Sequence, residues 1–200
     1  KDNITVIHHE NNLGLSATRN TGIKAGVSEL IAFLDGDMVA NENWLESFLP
    51  YFDSNVVAVM GDNIPPENII LNPVEKYYFG GLRGARRYSD GELIPLQFML
   101  YNNTMVKREV LKKSKLFNES IYKYGGEDTD LSARIWDLYP NSFIFSKKSN
   151  VYHYHRRNLT EFCRDMEVYG SHNLPFLLNQ YPHHKTKFGF EWIFSFKGYL

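Results

Sequence analysis

Short apolar runs alternate with helix-like stretches along the N-terminal part of the chain. Ile4–Ile7, Leu30–Leu34 and Val56–Met60 have the length and the composition of β-strands. Between these runs, Ser16–Ala25 and Asn43–Phe52 repeat their apolar residues at helical spacing. The unbroken run Leu30–Leu34 predicts a strand that is buried on both faces, as in a parallel sheet. This β-α-β-α-β order predicts an α/β fold in which helices pack on a sheet.

The rest of the chain is less regular, and its clearest element is a helix at Asp128–Leu138, where the apolar residues share one face. Tyr77–Arg87 carries three glycines and three arginines, which predicts a mobile basic loop or a short helix. The other predicted elements are a strand at Leu93–Asn103, a helix at Met105–Lys113, strands at Phe143–Phe145 and Val151–His155, and a helix at Thr160–Leu178 that Pro175 disturbs.

The composition is that of one ordinary globular domain, with 200 residues of which 43% are hydrophobic and 22% are charged. The net charge is -1, so the chain does not resemble a general polyanion binder and no nucleic-acid partner is predicted. The one cysteine, Cys163, cannot form an internal disulfide or a four-thiolate zinc site. We therefore expect a reducing compartment, the cytoplasm. No apolar run reaches the ~18 residues that a membrane-spanning helix needs.

Two carboxylates follow the predicted strand Leu30–Leu34 directly, in the triplet Asp35-Gly36-Asp37. In open α/β sheets, ligands bind outside the carboxyl ends of the strands. Paired carboxylates there offer the hard oxygen ligands that Mg²⁺ and Mn²⁺ prefer. The alternative is a surface turn, because Asp-Gly is a common turn pair.

A second acidic pair, Glu127-Asp128, follows Gly125-Gly126 at the start of the predicted helix. The helix dipole stabilises a carboxylate in a first turn as the anion. An ionised carboxylate at neutral pH can accept the proton of a hydroxyl nucleophile. The alternative is an acidic helix N-terminus that serves only as a cap.

Histidines and one arginine complete the candidate chemistry. On a strand, His153 and His155 point to the same face, and imidazole is a good ligand for Mn²⁺, although such pairs also occur as surface or core filler. Arg19 lies near the start of a helix that follows a strand, a position that suits a phosphate. His183-His184 follows a proline in a polar stretch, so we expect it to be solvated and without a role.

The order of these motifs along the chain resembles the family 2 glycosyltransferases over roughly residues 4 to 170. The matching motifs are Asn-x-Gly-x-Ser-x-x-Arg-Asn-x-Gly, Asp-Gly-Asp after a strand, Gly-Gly-Glu-Asp-x-Asp-Leu, and Tyr-His. The resemblance implies a GT-A fold, with a mixed and mostly parallel sheet flanked by helices and with a helical C-terminal extension. It also implies that a sugar is transferred from a nucleotide-diphosphate donor with inversion.

The resemblance further implies a role for each motif residue. Asp35 is expected to contact the nucleotide and Arg19 to lie near the donor phosphates. Asp37 and His153 are expected to hold Mn²⁺ or Mg²⁺ on the diphosphate, with His155 as the second choice. Asp128 matches the catalytic base, and Glu127 is expected to help bind the acceptor. Further candidates for the acceptor side or its loops are Trp44, Arg83, Asn102 and Asn103.

The family's usual opening, a strand and loop that hold the nucleotide base followed by an Asp-Asp-Gly-Ser type motif, does not precede Lys1 in this sequence. We therefore expect residues 1–158 to form a partial GT-A catalytic domain without its first nucleotide-binding strands. Residues 159–200 are expected to form a helical extension. Its end, Phe188–Leu200, is rich in aromatic and basic residues, which suits either a membrane interface or a helix that packs on the domain.

The predicted function is glycosyl transfer to a carbohydrate or lipid-linked acceptor in polysaccharide or glycoconjugate synthesis, in the cytoplasm or at the cytoplasmic face of the membrane. The sequence alone leaves two alternatives open. A metal-dependent nucleotidyltransferase also uses paired acids on an α/β sheet, but it normally opens with a glycine-rich phosphate loop, which is missing here. The second alternative is a non-catalytic, carbohydrate-binding remnant of the same fold.

Overall fold

The computed structural model describes residues 4–53 and 55–189, which form a six-stranded sheet flanked by helices. The strands are β1 (Leu30–Leu34), β2 (Met38–Ala40), β3 (Ala58–Ile64), β4 (Glu92–Leu93), β5 (Asn103–Lys107) and β6 (Phe143–His153). Their order in the sheet is β1-β5-β3-β6-β2, and β4 pairs with β6 outside this order. The helices are α1 (Leu15–Ala25), α2 (Trp44–Phe48), α3 (Pro73–Tyr78), α4 (Arg108–Lys113), α5 (Glu127–Leu138), α6 (Leu159–Val168) and α7 (Leu174–Gln180).

The sheet is mixed, as predicted, but it is not mostly parallel. Within the described residues, β3 and β6 pair in parallel, whereas β1–β5, β3–β5, β2–β6 and β4–β6 are antiparallel. The run Leu30–Leu34 forms β1 as predicted, yet it pairs antiparallel and is only half-buried. An unbroken apolar run reflects burial and carries no information about the direction of the neighbouring strand.

Three predicted elements differ from the structure. Ile4–Ile7 forms no strand, and its side chains are exposed, because no strand among the described residues lies beside it to accept its backbone hydrogen bonds. The predicted strand at Leu93–Asn103 is mostly irregular, since Pro95 lacks an N–H donor and a 3₁₀ turn follows it. The predicted helix at Met105–Lys113 begins only at Arg108, because the preceding residues form β5 between β1 and β3.

Two further predictions, near the site, have the right type of element but the wrong boundaries. The two predicted strands at 143–145 and 151–155 are one strand, β6. The predicted C-terminal helix is divided into α6 and α7 by a π-helical turn at Tyr169–Asn173. Pro175 closely follows this π-helical turn, and because proline has no N–H to donate, it accompanies an interruption of the regular helical hydrogen bonds.

The main hydrophobic core lies between the sheet and the helices α5 and α7. Phe33, Tyr101 and Phe117 meet edge-to-face in it, and Leu131 of α5 and Leu177 of α7 are fully buried there. The α7 helix therefore belongs to the same core as the sheet. The domain division at residue 158 stays a prediction.

Most of the predicted membrane-contact segment, Phe188–Leu200, lies outside the described residues. Across residues 4–53 and 55–189, none of the helices combines the length and the apolar character that crossing a bilayer requires.

Candidate active site

A cavity of about 540 Å³ opens beside the carboxyl end of β1, between the first turn of α5 and the end of β6. Its walls are rich in charged side chains. The predicted site residues that line it are Arg19, Asp35, Asp37, Asn102, Glu127, Asp128, His153 and His155. The structure therefore brings together residues that lie more than a hundred positions apart in the sequence.

Local backbone geometry places the Asp-Gly-Asp triplet at this edge of the sheet. The Asp35 N–H donates to the carbonyl of Asn102 at 3.0 Å, and the Met38 N–H donates to the carbonyl of Asp35 at 3.2 Å, which closes a turn. The β2 strand then pairs with β6, with Met38 opposite His153. As a result, Asp37 and His153 lie side by side at the mouth of the cavity.

Arg19 lies at the centre of an ion-pair network and has a side chain that is only 7% exposed. Its guanidinium donates to Asp128 Oδ1 at 2.7 Å and to Asp35 Oδ1 at 3.2 Å, and it approaches Glu127 Oε1 at 3.8 Å. The Phe117 ring covers one face of the guanidinium at 5.2 Å. Arg19 was expected near the donor phosphates, but in this structure it is engaged by three carboxylates.

Burial and mutual charge change the protonation of this network. Burial raises the pKa of Asp128, and the Arg19 charge opposes that rise. Burial, together with the Asp128 charge, raises the pKa of Glu127 to about 7. Burial alone would lower the pKa of Arg19, but the carboxylates of Asp128, Asp35 and Glu127 raise it above its ordinary value. Glu127 is therefore a carboxyl group whose charge changes near neutral pH.

The glycine pair before α5 is required by its backbone conformation. Gly125 has φ +77° and Gly126 has φ +96°, values that favour glycine. The Asn173 side-chain amide, from the π-helical turn, donates to the carbonyls of Tyr124 at 3.0 Å, of Lys123 at 3.3 Å, and of Gly125. Asn173 therefore fixes the loop that delivers Glu127 and Asp128. No sequence pattern marks this role, because Asn173 belongs to no motif.

Asp37, His153 and His155 form a candidate metal centre. Asp37 Oδ2 lies 3.3 Å from His153 Nε2 and 3.3 Å from His155 Nδ1. Burial lowers the pKa of His153, against the attraction of Asp37, and a neutral imidazole keeps the lone pair that a metal needs. Oxygen and imidazole ligands together suit Mn²⁺ and similar divalent ions.

Arg157 was not predicted and lines the same cavity. Its Nε–H donates to His155 Nε2 at 3.3 Å, and its guanidinium also contacts the Tyr124 hydroxyl and Asp165. Arg157 follows the predicted Tyr-His motif within a short basic run, which is the only signal that the sequence offered for it.

Two predicted acceptor candidates lie away from the cavity. The Trp44 indole donates to Asn103 Oδ1 at 2.9 Å. Asn103 is fully buried, and its amide donates to the carbonyls of Asp62 and Ser149. The Trp44–Asn103 pair therefore connects α2 to strands β3 and β6, which is a structural contact within the fold.

A second cavity of about 300 Å³ adjoins the first, and the two share Tyr78 and Leu100 as wall residues. Arg83, another acceptor candidate, lines it and stacks on Tyr78 at 4.6 Å. Two buried oxygens on its walls, Asn63 Oδ1 and Gln97 Oε1, have no hydrogen-bond partner among the described residues. Buried polar atoms of this kind are expected to bind a partner that the chain itself does not supply.

The mixed sheet thus carries acidic groups, histidines and an arginine around one cavity at its edge. The family model for glycosyl transferase family 2 matches residues 1–114. The chain therefore belongs to glycosyl transferase family 2.

Curated relatives agree with this assignment. The chain is 28% identical over 177 residues to the pre-mycofactocin glycosyltransferase of Mycobacterium tuberculosis, a match that covers 86% of this chain and 37% of the relative. It is 23% identical over 171 residues to the glucosyl-dolichyl phosphate glucuronosyltransferase of Haloferax volcanii, covering 80% of this chain and 54% of the relative. The chain thus spans only about a third to a half of these proteins.

Solved structures show the same fold. The mannosyltransferase PcManGT from Pyrobaculum calidifontis, in complex with GDP-Man and Mn²⁺, superposes with a TM-score of 0.60 at 15% identity, covering 88% of this chain and 46% of that one. GalNAc-T7 with UDP, GalNAc and Mn²⁺ superposes with a TM-score of 0.53 at 20% identity, covering 80% of this chain and 35% of that one. The predicted GT-A fold is confirmed.

Proposed function

We propose that this chain is the catalytic part of an inverting glycosyltransferase that takes a sugar from a nucleotide-diphosphate donor. The observation that carries the proposal is that Asp37, His153, Glu127 and Asp128 all line the same cavity. Family membership and the nucleotide-sugar complexes of the structural relatives support the donor class. Transfer by one displacement needs a site for the leaving diphosphate and a base for the acceptor, and this cavity offers groups for both.

Asp37 and His153 are the residues proposed to hold Mn²⁺ or Mg²⁺. When bound, such an ion neutralises the charge that develops on the leaving diphosphate. The choice of His153 over His155 rests on Arg157. Because Arg157 donates to His155 Nε2, a neutral His155 ring carries its proton on Nδ1, the atom that faces Asp37. That nitrogen has no free lone pair for a metal, whereas Nε2 of His153 faces Asp37 without such a competing donor.

Asp128 is proposed as the base that deprotonates the acceptor hydroxyl. Burial favours its protonated form, and Arg19 favours the ionised form that a base requires. The backbone N–H of Tyr101 donates to the other carboxylate oxygen at 3.3 Å and acts in the same direction. Arg19 is thus a positioning residue that also keeps Asp128 charged. Glu127 is proposed to bind the acceptor.

The acceptor is proposed to be a carbohydrate or lipid-linked hydroxyl compound that reaches Asp128 through the second cavity. The unpartnered oxygens of Asn63 and Gln97 can accept hydrogen bonds from sugar hydroxyls. Arg83, stacked on Tyr78, adds a cation at the boundary between the two cavities. Movement of the segment Tyr77–Arg87 during the reaction stays a prediction.

Contact with a membrane surface through Phe188–Leu200 is a further part of the proposal, supported by the sequence of that segment alone. Sedimentation of the intact protein with vesicles that contain anionic lipid tests it. Retention of all the protein in the supernatant would remove this part of the proposal and leave the rest unchanged.

Calorimetry on the intact protein tests the main proposal. UDP and GDP are titrated with and without Mn²⁺, and Asp37→Asn is compared with Glu42→Gln, which changes an exposed carboxylate away from the cavity. We expect Mn²⁺-dependent binding of one nucleotide, lost in Asp37→Asn and kept in the control. A carbohydrate-binding remnant would bind neither nucleotide. A nucleotidyltransferase would consume a nucleoside triphosphate and leave nucleotide sugars intact.

A further inference from the structure

A second cluster of metal-binding side chains lies away from the cavity, where the end of α5 meets the turn after α7. His184 Nε2 lies 2.8 Å from Asp137 Oδ1, and His183 Nε2 lies 3.2 Å from both carboxylate oxygens of Asp137. None of these three residues lines either cavity described above. The sequence had predicted a solvated histidine pair, but the side chain of His184 is only 7% exposed.

The spacing of the three ligand atoms fits a small divalent ion. The two imidazole nitrogens and the carboxylate oxygen all lie within 4.8 Å of one another. An ion with bonds of about 2 Å holds tetrahedral ligands roughly 3.3 Å apart, so small side-chain adjustments would complete the coordination. Asp137 and His183 are 40% and 55% exposed, which leaves water free access to the fourth position.

The backbone on both sides holds this arrangement in place. Asp137 lies in the last turn of α5, and His183-His184 forms a 3₁₀ turn after α7. Tyr181 directly precedes this 3₁₀ turn, and its hydroxyl donates to Asp130 Oδ1 of α5 at 2.7 Å. The Tyr181 contact already fixes the turn against α5, so the ligands are organised before any ion binds. Preorganised ligands of this kind raise affinity, because less side-chain freedom is lost on binding.

We propose that Asp137, His183 and His184 form a second metal site, which takes a divalent transition ion such as Zn²⁺ and clamps the turn after α7 to α5. Two imidazoles with one carboxylate suit Zn²⁺, Co²⁺ and Ni²⁺, whereas Mg²⁺ and Ca²⁺ prefer sets of oxygen ligands. The other end of α5 carries Glu127 and Asp128, so an ion here stabilises the helix that presents them.

The test is Zn²⁺ titration of the intact, chelator-treated protein. A parent variant with both Asp37→Asn and His153→Gln removes the other candidate centre, so that the Zn²⁺ binding that remains is measured by itself. In this parent, His183→Gln and Asp137→Asn each remove one ligand at an exposed position. His172→Gln removes an exposed imidazole of the neighbouring π-helical turn as a matched control. Circular dichroism checks that each variant is folded.

We expect the parent to bind one Zn²⁺ and to gain roughly 5–10 °C in melting temperature at a hundredfold excess over Kd. Affinity should fall by about 100-fold or more in His183→Gln and in Asp137→Asn and stay unchanged in His172→Gln, since even partners outside the ligand set contribute about 10–100-fold. Mg²⁺ should produce no shift. Absence of Zn²⁺ binding by the parent would overturn the proposal, and so would unchanged affinity in both ligand variants.

Discussion

The Arg19 guanidinium donates a 2.7 Å hydrogen bond to Oδ1 of Asp128, which joins α1 to the first turn of α5 across 109 positions of sequence. Both partners are largely buried. A buried ion pair of this kind is costly to break, because the remaining charge is left without a partner. The chemistry proposed for Asp128 therefore depends on a residue that belongs to a different motif.

Replacement of Arg19 by methionine is expected to raise the pKa of Asp128. The Arg19 charge opposes the effect of burial, and its loss leaves burial unopposed. We expect the acidic limb of the kcat/KM profile for sugar transfer to move upward by about one pH unit, since one unit corresponds to about 1.4 kcal/mol of lost charge stabilisation. The measurement is the pH profile of the intact enzyme, with Lys24→Met, an exposed change on the same helix, as control. An acidic limb that stays in place would contradict the role of Arg19.

Replacement of Gly126 by alanine is expected to destabilise the protein by about 1–3 kcal/mol. Gly126 has φ +96°, and a Cβ there would lie 3.0 Å from Cβ of Asn173. Urea unfolding measures the loss. Gly170→Ala is the matched control, because a Cβ at Gly170 meets nothing within 4 Å. Equal stability of the two variants would show that the loop tolerates a side chain.

The sequence predicted which residues lie together at the candidate site better than it predicted the path of the sheet. Asp35, Asp37, Asp128 and His153 could be found because each lies next to a clear strand or helix signal and within a family motif. Their convergence on one cavity confirms that these signals mark the same edge of the sheet. Strand direction could not be predicted, because hydrophobicity reports burial and not the identity of the neighbour.

Residues that act through backbone carbonyls or through long-range charge were missed. Asn173 holds the glycine loop through its amide, and Arg157 orients His155. The Arg157 contact spans only two residues, and the short basic run that contains Arg157 was its only signal. The Asn173 contact has no sequence pattern, because it depends on how the π-helical turn returns to the glycine loop. For the same reason Arg19 was expected near phosphates, when its burial among three carboxylates is a property of the folded chain.

Stability is expected to depend on pH through Glu127. Burial and the Asp128 charge raise its pKa to about 7 in the folded protein, above the value of about 4.3 in an unfolded chain. Between these two values the folded state binds more protons, so the free energy of unfolding should fall as the pH rises through this window. The expected loss is at most about 4 kcal/mol, since the two pKa values lie about 2.7 units apart and each unit corresponds to about 1.4 kcal/mol. Urea unfolding between pH 4.5 and pH 8 measures it.

Two variants separate the Glu127 contribution from other titrating groups. Glu127→Gln should flatten the decline between pH 4.5 and pH 7, because an amide does not titrate. Glu109→Gln, which changes an exposed carboxylate on α4, should leave the decline as it is in the natural protein. A decline that persists in Glu127→Gln would assign it to another group.

The proposed base is tested by paired amide substitutions in the first turn of α5. Asp128→Asn keeps the shape of the side chain and removes its basicity, so donor binding should survive while turnover falls by about 10²–10⁴-fold. Glu127→Gln should mainly raise the KM for the acceptor, because Glu127 is proposed to bind that substrate. The measurements are donor affinity by calorimetry and steady-state sugar transfer by the intact enzyme. Because the pKa of Glu127 is about 7, Glu127 is also able to exchange a proton at neutral pH. If Asp128→Asn retained near-normal transfer while Glu127→Gln abolished it, the roles of the two carboxylates would have to be exchanged.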